Sequence, residues 1–186
     1  MGIAIADAIG VEDIGQIKLF FQENPEQVDV HTFMGGQTWL GYAAQKGALA
    51  SVRALIDCGF GIDTLDRNGA TPLNSAAAHG NLEVVQYLVG QGAKLDFSST
   101  AANPLFGSVL GKSHDVAQVL LDAGIDATKT YSTSRVSNMT AVAFALMWGQ
   151  TEIANTIAVF VAKAKQISAE QVIEEGREVA ALSTAD

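Results

Sequence analysis

The chain repeats itself every 33 residues, and that period constrains its fold more than any other feature. Gly36-Gln37-Thr38-Trp39-Leu40-Gly41-Tyr42-Ala43-Ala44-Gln45-Lys46-Gly47 overlays Gly69-Ala70-Thr71-Pro72-Leu73-Asn74-Ser75-Ala76-Ala77-Ala78-His79-Gly80 with glycine, threonine, leucine, the Ala-Ala pair and the closing glycine in register. The match continues downstream: Val52, Leu55, Ile56, Gly59 and Asp63 fall on Val85, Leu88, Val89, Gly92 and Asp96. A third copy follows 32 residues on, with Asn103-Pro104-Leu105, Val119-Leu120-Leu121 and Gly124. A fourth starts at Thr140-Ala141-Val142 and carries Ala145 and Gly149. A unit of this length is one supersecondary element that cannot bury its apolar surface alone, so copies must stack.

Within a unit, each residue type has a local reason. Thr71 is placed to cap a first helix, and Pro72 suits its first turn, where no N–H is needed. Leu73, Ala76 and Ala77 make a narrow apolar stripe that lets helices approach closely. Gly80 ends the helix in a left-handed turn. Leu82, Val84, Val85, Leu88 and Val89 form the buried face of a second helix, and Gly92 ends it.

These units resemble ankyrin repeats, whose pattern runs G-x-T-P-L-H-x-A-A-x-x-G-x-x-x-x-V-x-x-L-L-x-x-G-A. Gly69–Gly92 matches it closely. The resemblance implies an all-α solenoid of about five helix-pair repeats, near 3–32, 33–65, 66–97, 98–130 and 137–163, within a domain of residues 1–165. The first unit is degenerate, with Ala6–Gly10 and Ile17–Phe21 as its helices. Residues 166–186 read as an acidic capping helix and tail, in which Val172, Ile173, Val179 and Leu182 can share one apolar face. Two departures stand out. The family's histidine after the leucine is replaced by Gly41, Asn74, Phe106 and Ala143, so its imidazole cannot tie neighbouring loops together here. The linker between Gly124 and Thr140 is about four residues longer than the one between Gly59 and Thr71, and insertions in repeats fall on one face.

Charge and composition narrow the function. The formal net charge is −9, from 20 acids and 11 Lys and Arg, which disfavours a nucleic-acid partner. The single cysteine, Cys58, excludes an intrachain disulfide; it is expected to pack as a small apolar residue. The N-terminus has no basic stretch before its apolar residues, and Ala6 stands where myristoylation needs Ser or Thr. The longest apolar run, Ile153–Ala162, is too short to cross a bilayer. A cytoplasmic, monomeric protein with no membrane partner is therefore expected.

No catalytic constellation is present in the sequence. His31, His79 and His114 sit in different units without metal-ligand spacing, and no paired-carboxylate or Gly-rich phosphate pattern occurs. Gly111-Lys112-Ser113 lacks the glycine a phosphate loop requires, because Phe106 stands there. Neither an enzyme, a metal nor a cofactor is expected.

The resemblance implies a protein partner docked on a concave strip of linker tips and first-helix ends. Position by position, this assigns Met34, Gln37, Arg67, Asn68, Ser99 and Thr100 from the tips. Gln45-Lys46, Ala78-His79, Leu110-Gly111 and Met147-Trp148 come from the helix ends. Trp148, Tyr131 and Arg135 are of the types favoured at binding centres, whereas Trp39, in the proline position, is expected in the core. Small ankyrin chains resemble bacterial immunity or antitoxin proteins, which implies a toxin as partner; a general scaffold or regulator is the alternative.

Overall fold

The computed structural model describes residues 2–28, 36–95, 99–132 and 137–183. The helices come in antiparallel pairs at the expected period: α1 (Gly2–Gly10) and α2 (Ile14–Glu23), α3 (Trp39–Lys46) and α4 (Leu49–Asp57), α5 (Pro72–Ala78) and α6 (Leu82–Gly90), α7 (Pro104–Leu110) and α8 (His114–Asp122), α9 (Ala141–Met147) and α10 (Thr151–Lys165). A last helix, α11 (Ala169–Ser183), follows α10 after a short turn. Among the described residues there is no β-strand; an isolated antiparallel bridge joins Tyr131 and Met139.

The helices stack in two rows. The first helices touch in the order α1, α3, α5, α7, α9 and the second helices in the order α2, α4, α6, α8, α10. The repeated apolar positions meet between the rows: Leu40, Leu73 and Leu105 from the first helices and Leu55, Leu88, Leu120 and Ile157 from the second are all fully buried. Burying one such side chain is worth about 1.5–3 kcal/mol, and the stack repeats that gain at every level.

The expected caps are made. Thr38, Thr71 and Thr140 accept, through Oγ1, the backbone N–H of Gly41 (2.9 Å), Asn74 (3.0 Å) and Ala143 (3.0 Å). In the third copy Asn103 substitutes, accepting from the N–H of Leu105 (2.9 Å). Each cap contributes about 1 kcal/mol. The closing residues Gly47, Gly80 and Gly149 all have φ near +70°. The equivalent positions in the other two units hold Glu12 and Lys112, which adopt the same left-handed conformation at φ 58° and φ 51°.

The missing family histidine is replaced by different inter-repeat bonds. Asn74 Nδ2 donates to the carbonyl of Asn103 (2.9 Å), and Asn103 Nδ2 donates to the Tyr131 hydroxyl (2.7 Å). Asn81 Nδ2 donates to the carbonyls of Ala44 and Gln45, both at 2.8 Å. Ser51 Oγ donates to the carbonyl of Ile9 (2.8 Å), tying the degenerate first unit to the second. Trp39 lies in the core, 4% exposed, with its ring edge-on to Phe21.

Helix α11 packs across α9 and α10. Val172 is buried, and Gly176 lies so close to α9 that a methyl group there would come within 2.8 Å of Val142 Cγ1. Ile173 and Val179 pack partly against the same core. Leu182 departs from the expected apolar face: it is 73% exposed, because the stripe carried by Val172, Gly176 and Val179 turns it away from α9.

Candidate partner-binding face

The exposed ends of the first helices lie side by side because the helices themselves are stacked. Gln45-Lys46, Ala78-His79, Leu110-Gly111 and Met147-Trp148 occupy equivalent positions in successive units. Lys46, His79, Leu110, Met147 and Trp148 are exposed at these ends, and Gln45 and Ala78 are half-buried.

At the N-terminal side the strip is polar and hydrogen-bonded along its length. Gln37 Nε2 donates to Gln45 Oε1 (2.7 Å), and the Gln45 amide meets His79 Nε2 (3.1 Å). His79 Nδ1 faces the carbonyl of Ser75 (2.9 Å). A carbonyl only accepts, so Nδ1 carries the proton and neutral His79 offers Nε2 as acceptor to the Gln45 amide. Lys46 lies 5.5 Å above the centre of the Tyr42 ring, a cation–π arrangement that holds its charge over the helix end. Arg67 and Asn68 are exposed on the neighbouring linker tip, where the Arg67 N–H donates to the carbonyl of Gly36 (3.0 Å).

At the C-terminal side the strip is apolar. Leu110 is 44%, Met147 37% and Trp148 54% exposed. Beneath them runs a ladder of rings. Tyr131 meets Phe106 edge-on at 5.2 Å between centroids, Phe106 meets Phe144 at 5.0 Å, and Phe144 meets Trp148 at 5.9 Å. Leu110 and Trp148 each follow a ladder phenylalanine by four residues, one helical turn, so the buried ladder surfaces between them.

The ladder corrects one sequence expectation. Tyr131 was assigned to the contact strip, but it is 8% exposed, packed on Phe106, with its hydroxyl taking the Asn103 amide. Tyr131 and Met139 exchange backbone hydrogen bonds in an antiparallel bridge, and the Tyr131 ring lies inward against Phe106. Met34 and Arg135 lie outside the described residues. Ser99 is exposed and Thr100 half-buried at their tip. Sequence reasoning missed Phe106 and Phe144; the signal was available, since each sits four residues before a surface residue of the strip.

A family model for ankyrin repeats in three copies matches residues 8–99. A putative ankyrin repeat protein of Rickettsia felis is 45% identical over 56 residues, which is 29% of this chain and 25% of that protein. The ankyrin repeat, SAM and basic leucine zipper domain-containing protein 1 of Atelerix albiventris is 43% identical over 56 residues, 30% of this chain and 12% of that protein. The matched region thus spans a quarter or less of these curated relatives. The crystal structure of the human ASB11 ankyrin repeat domain superposes with a TM-score of 0.67 at 19% identity, over 82% of this chain and 66% of that one.

The chain is an ankyrin-repeat protein.

Ankyrin repeats are protein–protein interaction modules, and the ankyrin fold is a protein-binding scaffold. Among the described residues no group of three or more His, Cys, Asp or Glu is placed to hold a metal. No helix among them is long and apolar enough to cross a membrane. Cys58 sits half-buried at the C-terminal end of α4; burial pushes its thiol pKa up, against the Coulombic pull of Lys18, and Asp57 adds to the rise. A thiol so placed stays protonated at neutral pH and is a poor nucleophile. Gly111 and Lys112 do not form a phosphate loop: Gly111 is pressed against the backbone of α5.

Proposed function

We propose that this chain binds a partner protein across the exposed ends of α3, α5, α7 and α9, and thereby masks or scaffolds it. The observation that carries the reading is Trp148. It is a large ring more than half exposed, seated on a buried aromatic ladder and flanked by exposed Leu110 and Met147. An apolar surface of this kind, held rigid from below and rimmed by polar groups, is suited to anchoring a partner. Neutralisation of a toxin is the narrower form of this role that the resemblance implies, and rescue of growth when the chain is co-expressed with a toxin encoded beside it tests that form.

The general reading is tested by measuring binding and melting on one variant. Trp148→Ala is expected to weaken partner binding by about 2 kcal/mol or more, in the hot-spot range, while the melting temperature stays nearly constant. A loss of about 3 kcal/mol in stability, as for a core aromatic, would mean that Trp148 is packing and the docking surface lies elsewhere.

A further inference from the structure

The first-helix face has a charge pattern unlike the rest of the molecule. Segments 36–47, 69–80, 103–113 and 139–150 contain no Asp or Glu, in a chain that carries 20 acids. The charged groups exposed along these segments are Lys46 and Lys112, joined by the titratable His79. Lys112 shares a cleft with His114, Gly149 and Glu152, so its charge borders the Trp148 turn and meets one carboxylate, at the start of α10. Acids resume at both ends of the row, at Asp7 on α1 and at Glu174 on α11.

Burial does not account for this. Lys46, His79, Leu110, Lys112, Met147 and Trp148 are all exposed, and a carboxylate would be solvated at any of them. At physiological salt, charges are screened beyond about 8 Å. A docking segment therefore responds to the local basic groups more than to the net charge of −9.

We propose that the occupant of this face is an acidic, apolar segment of a partner protein, whose apolar side chains pack on Leu110, Met147 and Trp148 and whose carboxylates face Lys46 and Lys112. This rests on the reading that the face is a docking surface and adds the chemistry of what docks there. Lys46 and Met147 lie on helices three packings apart. At roughly 9 Å per packing the strip is about 27 Å long, which matches about 18 residues of helix.

The test is a selection of random 20-residue peptides displayed on phage against the full chain. Selected peptides are expected to combine Asp or Glu with Leu, Phe or Trp. Their affinity should fall by about tenfold or more on Lys46→Glu with Lys112→Glu, with a shallower salt dependence. On Trp148→Ala it should also fall, with the salt dependence kept. Circular dichroism of each variant checks that these exposed substitutions leave the fold intact. Neutral or basic peptides, or none, overturn the proposal. So does affinity that survives charge reversal. If charge reversal has no effect but Trp148→Ala still weakens binding, the docking surface stands and the acidic occupant falls. If neither substitution matters, the docking surface itself is wrong. Light scattering completes the test: self-association abolished by the charge reversal would identify the occupant as a second copy, through the acidic α11, and would also overturn it.

Discussion

Tyr131 and Trp148 are the two ends of one ladder of rings, and burial separates their roles. Tyr131→Phe keeps the ring stacked on Phe106 but takes away the hydroxyl that accepts from Asn103 Nδ2. A buried donor deprived of its acceptor costs about 1–3 kcal/mol, so urea denaturation should show a loss of that size with no direct effect on partner affinity. Lys112 is strained in the opposite sense. It stands where three of the other units use glycine, at φ 51°. Lys112→Gly relieves a left-handed conformation that costs a side-chain-bearing residue about 1–2 kcal/mol. Glycine returns part of that through the entropy of the unfolded chain. The expected net gain is about 0.5–1 kcal/mol, read as a higher urea midpoint.

Asp126 gives a residue-scale prediction in pH. Its carboxylate accepts from the Thr128 hydroxyl (2.6 Å) and the Thr128 N–H (2.9 Å). The hydroxyl is the main cause of a pKa held below the ordinary carboxylate value; burial opposes it, and the Thr128 N–H and Lys129 add to it. A folded pKa below the unfolded one stabilises the protein above the unfolded pKa, and that contribution fades as pH falls through the folded pKa. Thr128→Ala should therefore raise the Asp126 pKa. The check is an NMR titration of its carboxyl carbon, and a pKa unmoved by the substitution would assign the shift to Lys129 and the backbone instead.

Helices α5 and α7 meet through glycine, whereas α7 and α9 meet through Phe106 and Phe144. A methyl group at Gly107 would touch Ala77 Cβ and the Asn74 carbonyl, both at 3.1 Å. At Gly111 it would strike the Ala77 carbonyl and lie 2.8 Å from the Gly80 nitrogen. Gly111 has an ordinary φ of −71°, so its own conformation accepts alanine. Helix propensity would favour that change by up to about 1 kcal/mol, but the clash is with backbone that cannot rotate away, and overpacking costs about 1–3 kcal/mol. The clash wins: Gly111→Ala should lower stability in a thermal melt. One row of helices thus has a close junction and, next to it, an aromatic one, and the aromatic junction is where apolar surface emerges at Leu110 and Trp148.

A solenoid needs its last unit covered, and α11 supplies that cover. It lays Val172 and Gly176 over α9 while Glu170, Glu174 and Glu178 stay in water. An ion pair from Lys165 to Glu175 (3.7 Å) joins it to α10, but both groups are well exposed, so the pair contributes about 0–1 kcal/mol and apolar contact dominates. Removing residues 168–186 should expose Val142 and its neighbours, lowering the melting temperature and promoting aggregation. Partner affinity per folded molecule should change little; loss of binding with unchanged stability would make α11 part of the docking surface instead.

What the sequence determined by itself was the period, and with it the helix pairs, their caps and the rows of buried leucines. These follow from local spacing, because a Thr-x-Leu-x-x-Ala-Ala-x-x-Gly unit carries its own start, stripe and stop, and a second identical unit must pack on it. The exposed helix ends, Lys46, His79, Leu110 and Trp148, were legible for the same reason: equivalent positions in a repeat share an environment. Irregular places were decided by tertiary structure. Tyr131 lies in a Ser/Thr-rich insertion whose composition demands no burial, yet its hydroxyl meets Asn103, 28 residues away, and its ring meets Phe106. Asn74 took over an inter-repeat bond that the missing histidines had left unassigned, and Leu182 was turned to solvent by the way Gly176 seats α11 on α9. Each of these outcomes depends on a partner brought close by stacking, and no periodicity within the chain encodes such a distance.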